Sequence, residues 1–245
     1  MRADPSGSTV TLTALQQIAE ILYDQAKKLI HSSNVYHNEW AGPCANLLVD
    51  LTKEHGGLGL TPASKTADNS SGKVFFANSG TEANEGALKF VRKFAKEKYN
   101  DQPAKSDIVC FERAFHGRTL GALSVTPNAK YQDPFAPLLP GIKVGKMNVE
   151  EGLEELINEN TAGLIVEPIQ GEGGLYEAEM QWLGKVVKRA REVGAIVVFD
   201  EIQVRLTLLL DVRSPLTLSS LLTSVRPLPD GHDVGPLQVP GRGAA

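Results

Sequence analysis

Apolar residues recur at three- and four-residue steps at Leu12, Leu15, Ile18, Leu22, Ala26 and Leu29, which predicts one amphipathic helix from about Leu12 to Ile30. Its apolar stripe calls for a covering sheet or helix. A second helix is predicted from Gly42 to Glu54. The Gly56-Gly57-Leu58-Gly59 cluster closes it, because glycine takes positive φ readily at a helix C-terminus. The small, polar segment from Ala63 to Gly72 reads as a surface loop. Beyond it, short runs rich in valine, isoleucine and phenylalanine alternate with helical patterns. They predict a strand at Lys73 to Ala77, a helix from Thr81 to about Tyr99, and strands at Asp107 to Phe111 and Gly163 to Glu167. A helix from about Glu179 to Val193 and a strand at Ala195 to Asp200 follow. Strands apolar on both faces, alternating with helices, build a mainly parallel sheet flanked by helices, so the fold class is α/β.

Composition fits an ordinary globular chain: 42% hydrophobic, 22% charged and a formal net charge of -4. Interspersed signs leave no footprint for a nucleic-acid backbone, and Lys93, Lys96 and Lys98 read as one solvated helix face. Cys44 and Cys110 are too few and too far apart for a disulfide framework or a zinc site; both read as buried thiols in a reducing compartment. No metal site is expected. The longest purely apolar runs are about five residues, far below the roughly 20 that span a bilayer, so no membrane segment is expected.

In sheets of this kind ligands bind at the carboxyl ends of the strands. Asn78-Ser79-Gly80-Thr81-Glu82-Ala83-Asn84-Glu85 follows the first predicted strand and opens a helix. Backbone N–H groups, the Ser79 and Thr81 hydroxyls and the helix dipole can converge there on an anion. The same pattern suits a plain N-cap with Glu82 or Glu85 completing a capping box, and on local pattern alone the cap reading leads. Neither a G-x-x-x-x-G-K-[ST] loop nor a G-x-G-x-x-G fingerprint occurs, which disfavours nucleotide binding.

Phe115-His116-Gly117-Arg118-Thr119 follows the next strand and offers a ring to stack and a guanidinium to fork onto a carboxylate. Read singly, Phe115 suits a core and Arg118 a surface. Glu167-Pro168-Ile169-Gln170-Gly171-Glu172-Gly173-Gly174 is a glycine-rich loop carrying Glu172, a residue type usually solvated in loops. Asp200 ends a fully apolar strand, where a carboxylate is poorly solvated and needs a partner; a protonated pyridinium nitrogen or a helix cap would serve.

In their order and approximate spacing, these three segments and Asp200-Glu201-Ile202-Gln203 resemble the class III aminotransferases, particularly the acetylornithine branch of fungal mitochondria, over about Leu15 to Gln203. The resemblance implies the large domain of a fold type I enzyme dependent on pyridoxal 5'-phosphate (PLP), present incompletely. It implies transfer of the δ-amino group of N-acetylornithine to 2-oxoglutarate, forming glutamate, in arginine biosynthesis. A homodimer in the mitochondrial matrix is implied too. By motif, Gly80 and Thr81 would bind the cofactor phosphate, Phe115 would stack on the ring, Asp200 would pair with its nitrogen and Gln203 would bond its hydroxyl. Arg118 would hold a substrate carboxylate, Glu172 would line the substrate pocket, and His116 and Gly117 would shape the loop. Ornithine and aminobutyrate enzymes are the neighbouring alternatives, and a noncatalytic PLP-binding or scaffold remnant is the alternative of another class.

On this reading residues 1–13 are an unmatched start with no targeting segment, 14–203 a partial large domain, and 204–245 an unmatched tail expected to be disordered. The tail has no Lys, Glu, Asn, Phe, Tyr or Trp, and no lysine follows Lys188. The Schiff-base lysine that such chemistry needs downstream of Asp200 is therefore expected to be missing, and turnover with it.

Overall fold

A computed structural model describes residues 5–33, 35–54, 72–99, 105–202 and 224–226. The chain divides into two compact units, Met1–Leu47 and Leu48–Ala245. The first holds helix α1, Pro5–Ala26, and the opening of α2, Ala41–Glu54. Helix α1 starts seven residues before the apolar periodicity does, and its stripe is open: Ile18 and Leu22 are 53% and 63% exposed. Asn38 starts α2, its side-chain oxygen accepting the Ala41 N–H at 2.8 Å. Cys44, expected to be buried, is exposed.

In the second unit, chain order runs α3 (Gly80–Lys98), β1 (Asp107–Phe111), α4 (Leu120–Ser124), α5 (Ala129–Gln132), β2 (Ile142–Gly145), α6 (Leu153–Leu156) and β3 (Thr161–Val166). It continues through β4 (Ile169–Gln170), β5 (Tyr176–Glu177), α7 (Met180–Glu192), β6 (Ile196–Phe199) and β7 (Ser224–Arg226). The main sheet has the order β2-β1-β3-β6-β7. Its first four strands are parallel and β7 pairs antiparallel with β6. Strand β7 lies in the segment expected to be disordered; Gln203 and the rest of that segment lie outside the described residues.

Alternate side chains of the same strands feed two cores, as a sheet covered on both faces requires. Val109, Phe111, Leu164, Val166 and Val197 pack with Trp182, Val186 and Ala190 of α7. Ile108, Cys110, Ile165, Ile196 and Val198 pack with Ala87, Leu88, Val91 and Ala95 of α3. Each large side chain fully buried this way contributes about 1.5–3 kcal/mol. Gly163 lets α3 sit close to β3, since a Cβ there would lie 2.7 Å from Val91 and 2.8 Å from the Ile196 carbonyl.

Two sequence expectations need correction. Residues 73–77 form no strand: a strand needs a paired neighbour, none among the described residues pairs with them, and Phe75 and Phe76 are half exposed. Conversely Ile142–Gly145, where the sequence pattern predicts no strand, is the edge strand β2, in register with β1 from Ile108↔Ile142 to Phe111↔Gly145.

Candidate active site

The carboxyl ends of β1, β3 and β6 and the N-terminus of α3 bring most of the singled-out residues together. Asp200 follows β6 directly, its N–H bonded to the Val166 carbonyl at 2.9 Å, which places its carboxylate beside the end of β3. It is 4% exposed. Its Oδ2 accepts from Asn84 Nδ2 at 2.8 Å and pairs with His116 Nδ1 at 2.7 Å. Its Oδ1 accepts the Ile202 N–H at 3.2 Å. A carboxylate offers about four lone-pair sites, so Oδ1 can take a further donor.

Asn84 lies one turn into α3, and its Nδ2 also bonds the His116 carbonyl at 2.7 Å, tying the helix to the loop after β1. His116 is buried, its N–H donates to Thr126 Oγ1 at 2.9 Å, and its Nε2 has no hydrogen-bond partner. An imidazole whose Nδ1 faces a carboxylate is oriented and can stabilise the acid's negative charge.

Ser79 caps α3 by accepting the Glu82 N–H, while Glu82 Oε2 accepts the Asn78 N–H at 2.9 Å, a near relative of the capping box. The local pattern is thus a helix cap, in line with the leading reading. Thr81 Oγ1 accepts the Arg118 and Thr119 N–H groups at 3.1 and 3.3 Å and lies 3.1 Å from the Thr119 hydroxyl. The approach is so close that a Cβ on Gly117, whose φ is +133°, would stand 2.1 Å from Thr81 Oγ1. At Gly80 a Cβ would lie 2.5 Å from Cδ1 of Ile202, the end of a half-exposed side chain. The Gly80 and Thr81 amides belong to the first turn, whose N–H groups have no intrahelical acceptor.

Phe115 is half-buried and meets Tyr131 edge-to-face with centroids 6.2 Å apart; the Arg118 guanidinium lies 4.4 Å over the same Tyr131 ring. Glu167, at the end of β3, is buried, and its Oε1 accepts the Phe115 N–H at 2.9 Å. Burial pushes its carboxyl up to about 7, with the His116 imidazole and the Phe115 N–H acting in the opposite sense.

The structure thus unites Gly80, Thr81, Phe115, His116, Gly117, Arg118 and Asp200. Glu172 stands exposed on the turn between β4 and β5, away from the hydrogen bonds that join Asp200, His116 and Asn84 to one another. Gln203 lies outside the described residues. Sequence reasoning gave no role to Asn84, Glu167 or Tyr131. The first two sat inside quoted motifs as buried-side polar residues, which was a usable signal; Tyr131 carried none. Among the described residues no group of three His, Cys, Asp or Glu side chains could hold a metal, and no helix is long and apolar enough to cross a membrane.

Known proteins are similar to this chain in sequence and in fold. Mitochondrial acetylornithine aminotransferase of Neurospora crassa is 47% identical over 188 residues, covering 77% of this chain and 38% of that protein. The crystal structure of ornithine aminotransferase from Toxoplasma gondii matches at a TM-score of 0.66 with 27% identity, covering 78% of this chain and 42% of that one. Acetylornithine aminotransferase from Elizabethkingia anophelis matches at 0.56 with 29% identity, covering 76% and 42%. The chain therefore spans about two fifths of the length of these relatives. A second T. gondii ornithine aminotransferase structure has PLP at partial occupancy in its active site. Residues 13–206, carrying the Thr81, His116 and Asp200 constellation, match the family described as Aminotransferase class-III, and to that family this chain belongs.

Proposed function

We propose that the constellation around Asp200 is a PLP site and that the protein of which these residues form the cofactor half moves the δ-amino group of N-acetylornithine to 2-oxoglutarate. The observation that carries the cofactor reading is the buried Asp200 carboxylate, held by Asn84 and His116 on one oxygen and with acceptor capacity on the other. The donor set fits the group. Asp200 would receive a protonated ring nitrogen. The Gly80 and Thr81 amides and the helix dipole would receive a phosphate, and Phe115 would lie against the ring. Gln203 would bond the ring hydroxyl. When bound, PLP supplies an electron sink for reactions at the amino-bearing carbon.

The protein's own residues do the rest. Asn84 and His116 fix the orientation of the carboxylate, so that its other oxygen would face the ring nitrogen. The close approach of Gly117 to Thr81 keeps the phosphate cradle narrow. Arg118, exposed and seated on Tyr131, would grip a substrate carboxylate, and Glu172 would line the substrate pocket.

The acetylornithine substrate is favoured by the 47–48% identity to fungal mitochondrial acetylornithine aminotransferases. Ornithine or aminobutyrate as donor is the lesser reading. A mitochondrial matrix location, arginine biosynthesis and a homodimer belong to the same proposal.

One observation favours a second reading for the chain in isolation. No lysine follows Lys188, and this chemistry calls for a lysine amine downstream of Asp200, so the chain alone would bind PLP without turnover. The test is an amino-transfer assay on the purified chain with PLP, N-acetylornithine and 2-oxoglutarate. No glutamate above the blank is expected; sustained glutamate formation, lost in Asp200→Ala, would overturn the noncatalytic reading and uphold the site.

A further inference from the structure

Among the described residues only two that are not glycine have positive φ, Arg113 at 65° and Asn148 at 61°. Both border one cavity of about 260 Å³, whose wall also includes Gln170 and Tyr176 of the β4–β5 hairpin. The hairpin pairs Ile169 with Glu177 and Gln170 with Tyr176, and its turn carries Glu172. Only two residue pairs make up the ladder, far too few to hold a hairpin by themselves. Its order must come from what grips it.

The grip is on the page. Buried Gln170 donates to the Glu112 carbonyl at 2.9 Å. Asn148 donates from Nδ2 to the Glu177 carbonyl at 2.9 Å and accepts the Glu179 N–H at 2.8 Å, which accounts for its own left-handed backbone. The turn itself is held by Arg113. Its guanidinium lies 4.4 Å over the Tyr176 ring, while its backbone is packed against Gly173, where a Cβ would stand 2.6 Å from the Arg113 carbonyl. Arginine gains nothing from a left-handed backbone, which glycine or asparagine takes more easily. The side chain, not the turn, gives arginine its use at this position. The turn closes through the Ala114 N–H to the Phe111 carbonyl, and Phe115 follows at once.

We propose that Arg113 is a positioning residue: it clamps the turn bearing Glu172 against the turn that presents Phe115, setting the substrate-pocket wall relative to the ring-stacking side chain. This rests on the reading of Glu172 and Phe115 given above. The clamp itself does not depend on any cofactor.

The test is hydrogen exchange read by mass spectrometry on the full chain without PLP, together with its thermal midpoint. In Arg113→Gly the backbone is relieved and the guanidinium is lost. Exchange over residues 171–177 should rise about two- to fivefold, the size expected of one cation–π contact at an exposed site. The thermal midpoint should stay level or rise. Arg113→Lys should keep the exchange close to that of the parent. Tyr176→Leu should loosen the same segment, and adding it to Arg113→Gly should change nothing further. Unchanged exchange over 171–177 in Arg113→Gly would overturn the proposal. So would equal acceleration in β1 and β3, or additive effects in the double variant. Because no cofactor is present, failure here leaves the PLP assignment standing, and failure of PLP to bind leaves the clamp standing.

Discussion

Glu167 offers the sharpest test of the site's electrostatics. Its carboxyl is 5% exposed and is pushed by burial from an ordinary 4.5 up to about 7. At 1.36 kcal/mol per pH unit that difference is worth about 3 kcal/mol. The sign follows from proton binding. Below pH 4.5 the carboxyl is neutral in both the folded and the unfolded chain, and burial of its charge costs nothing. Between 4.5 and 7 the unfolded chain releases the proton while the folded one keeps it, so stability falls as pH rises. Above 7 the whole cost is present.

Glu167→Gln is neutral throughout and keeps a carbonyl oxygen for the Phe115 N–H, at the risk of one backbone bond from Gly171 worth about 1 kcal/mol. Relative to the parent, the variant should gain about 3 kcal/mol on going from acid to pH 8, and with the lost bond set against it should stand about 2 kcal/mol above the parent at pH 8. Urea unfolding at several pH values between about 4 and 8 measures this directly, provided the denaturant slope is unchanged between the two chains. A difference that does not vary with pH would refute the reasoning, as would a variant that loses stability as pH rises.

Gly117→Ala should cost about 2–3 kcal/mol by urea unfolding, since φ is +133° and the new Cβ would meet Thr81 Oγ1 at 2.1 Å. Gly163→Ala should be similarly damaging, because its clash is with the Ile196 backbone as well as Val91. Native alkylation should label one thiol: Cys44 is exposed, whereas burial keeps Cys110 inaccessible and pushes its thiol up to about 12; peptide mapping after iodoacetamide reads this, and both should label in urea. Asn84→Ala should destabilise by about 1–3 kcal/mol, because it removes the donor shared by the His116 carbonyl and buried Asp200.

The parts of this fold that were legible in sequence are those whose environment is uniform along the element. Strand β1 reads directly from Asp-Ile-Val-Cys-Phe because both of its faces are buried in apolar cores, and α7 from the stripe of Trp182, Leu183, Val186 and Ala190 because that stripe packs against one core throughout. Strand β2 was missed because it is an edge strand: Lys143 points to Asp107, Val144 is 47% exposed, and a glycine stands at one end, so no apolar run marks it. The segment 73–77 misled in the other direction, since valine and phenylalanine favour a strand but cannot supply its neighbour.

The same division holds in the site. Thr81 and Gly117 were legible as loop chemistry next to a helix start. The pairing of His116 with Asp200 across 84 residues is a product of strand order, which no local pattern encodes. The raised carboxyl of Glu167 likewise depends on what the folded chain stacks over it.

The most direct measurement is equilibrium dialysis of PLP, with inorganic phosphate in parallel, against the chain and its Asp200→Asn variant. If Asp200 pairs with the ring nitrogen, the variant binds PLP at least about tenfold more weakly, a loss of about 1.4 kcal/mol, while its phosphate binding is unchanged. Equal PLP binding by both chains, or equal weakening toward both ligands, would contradict the account.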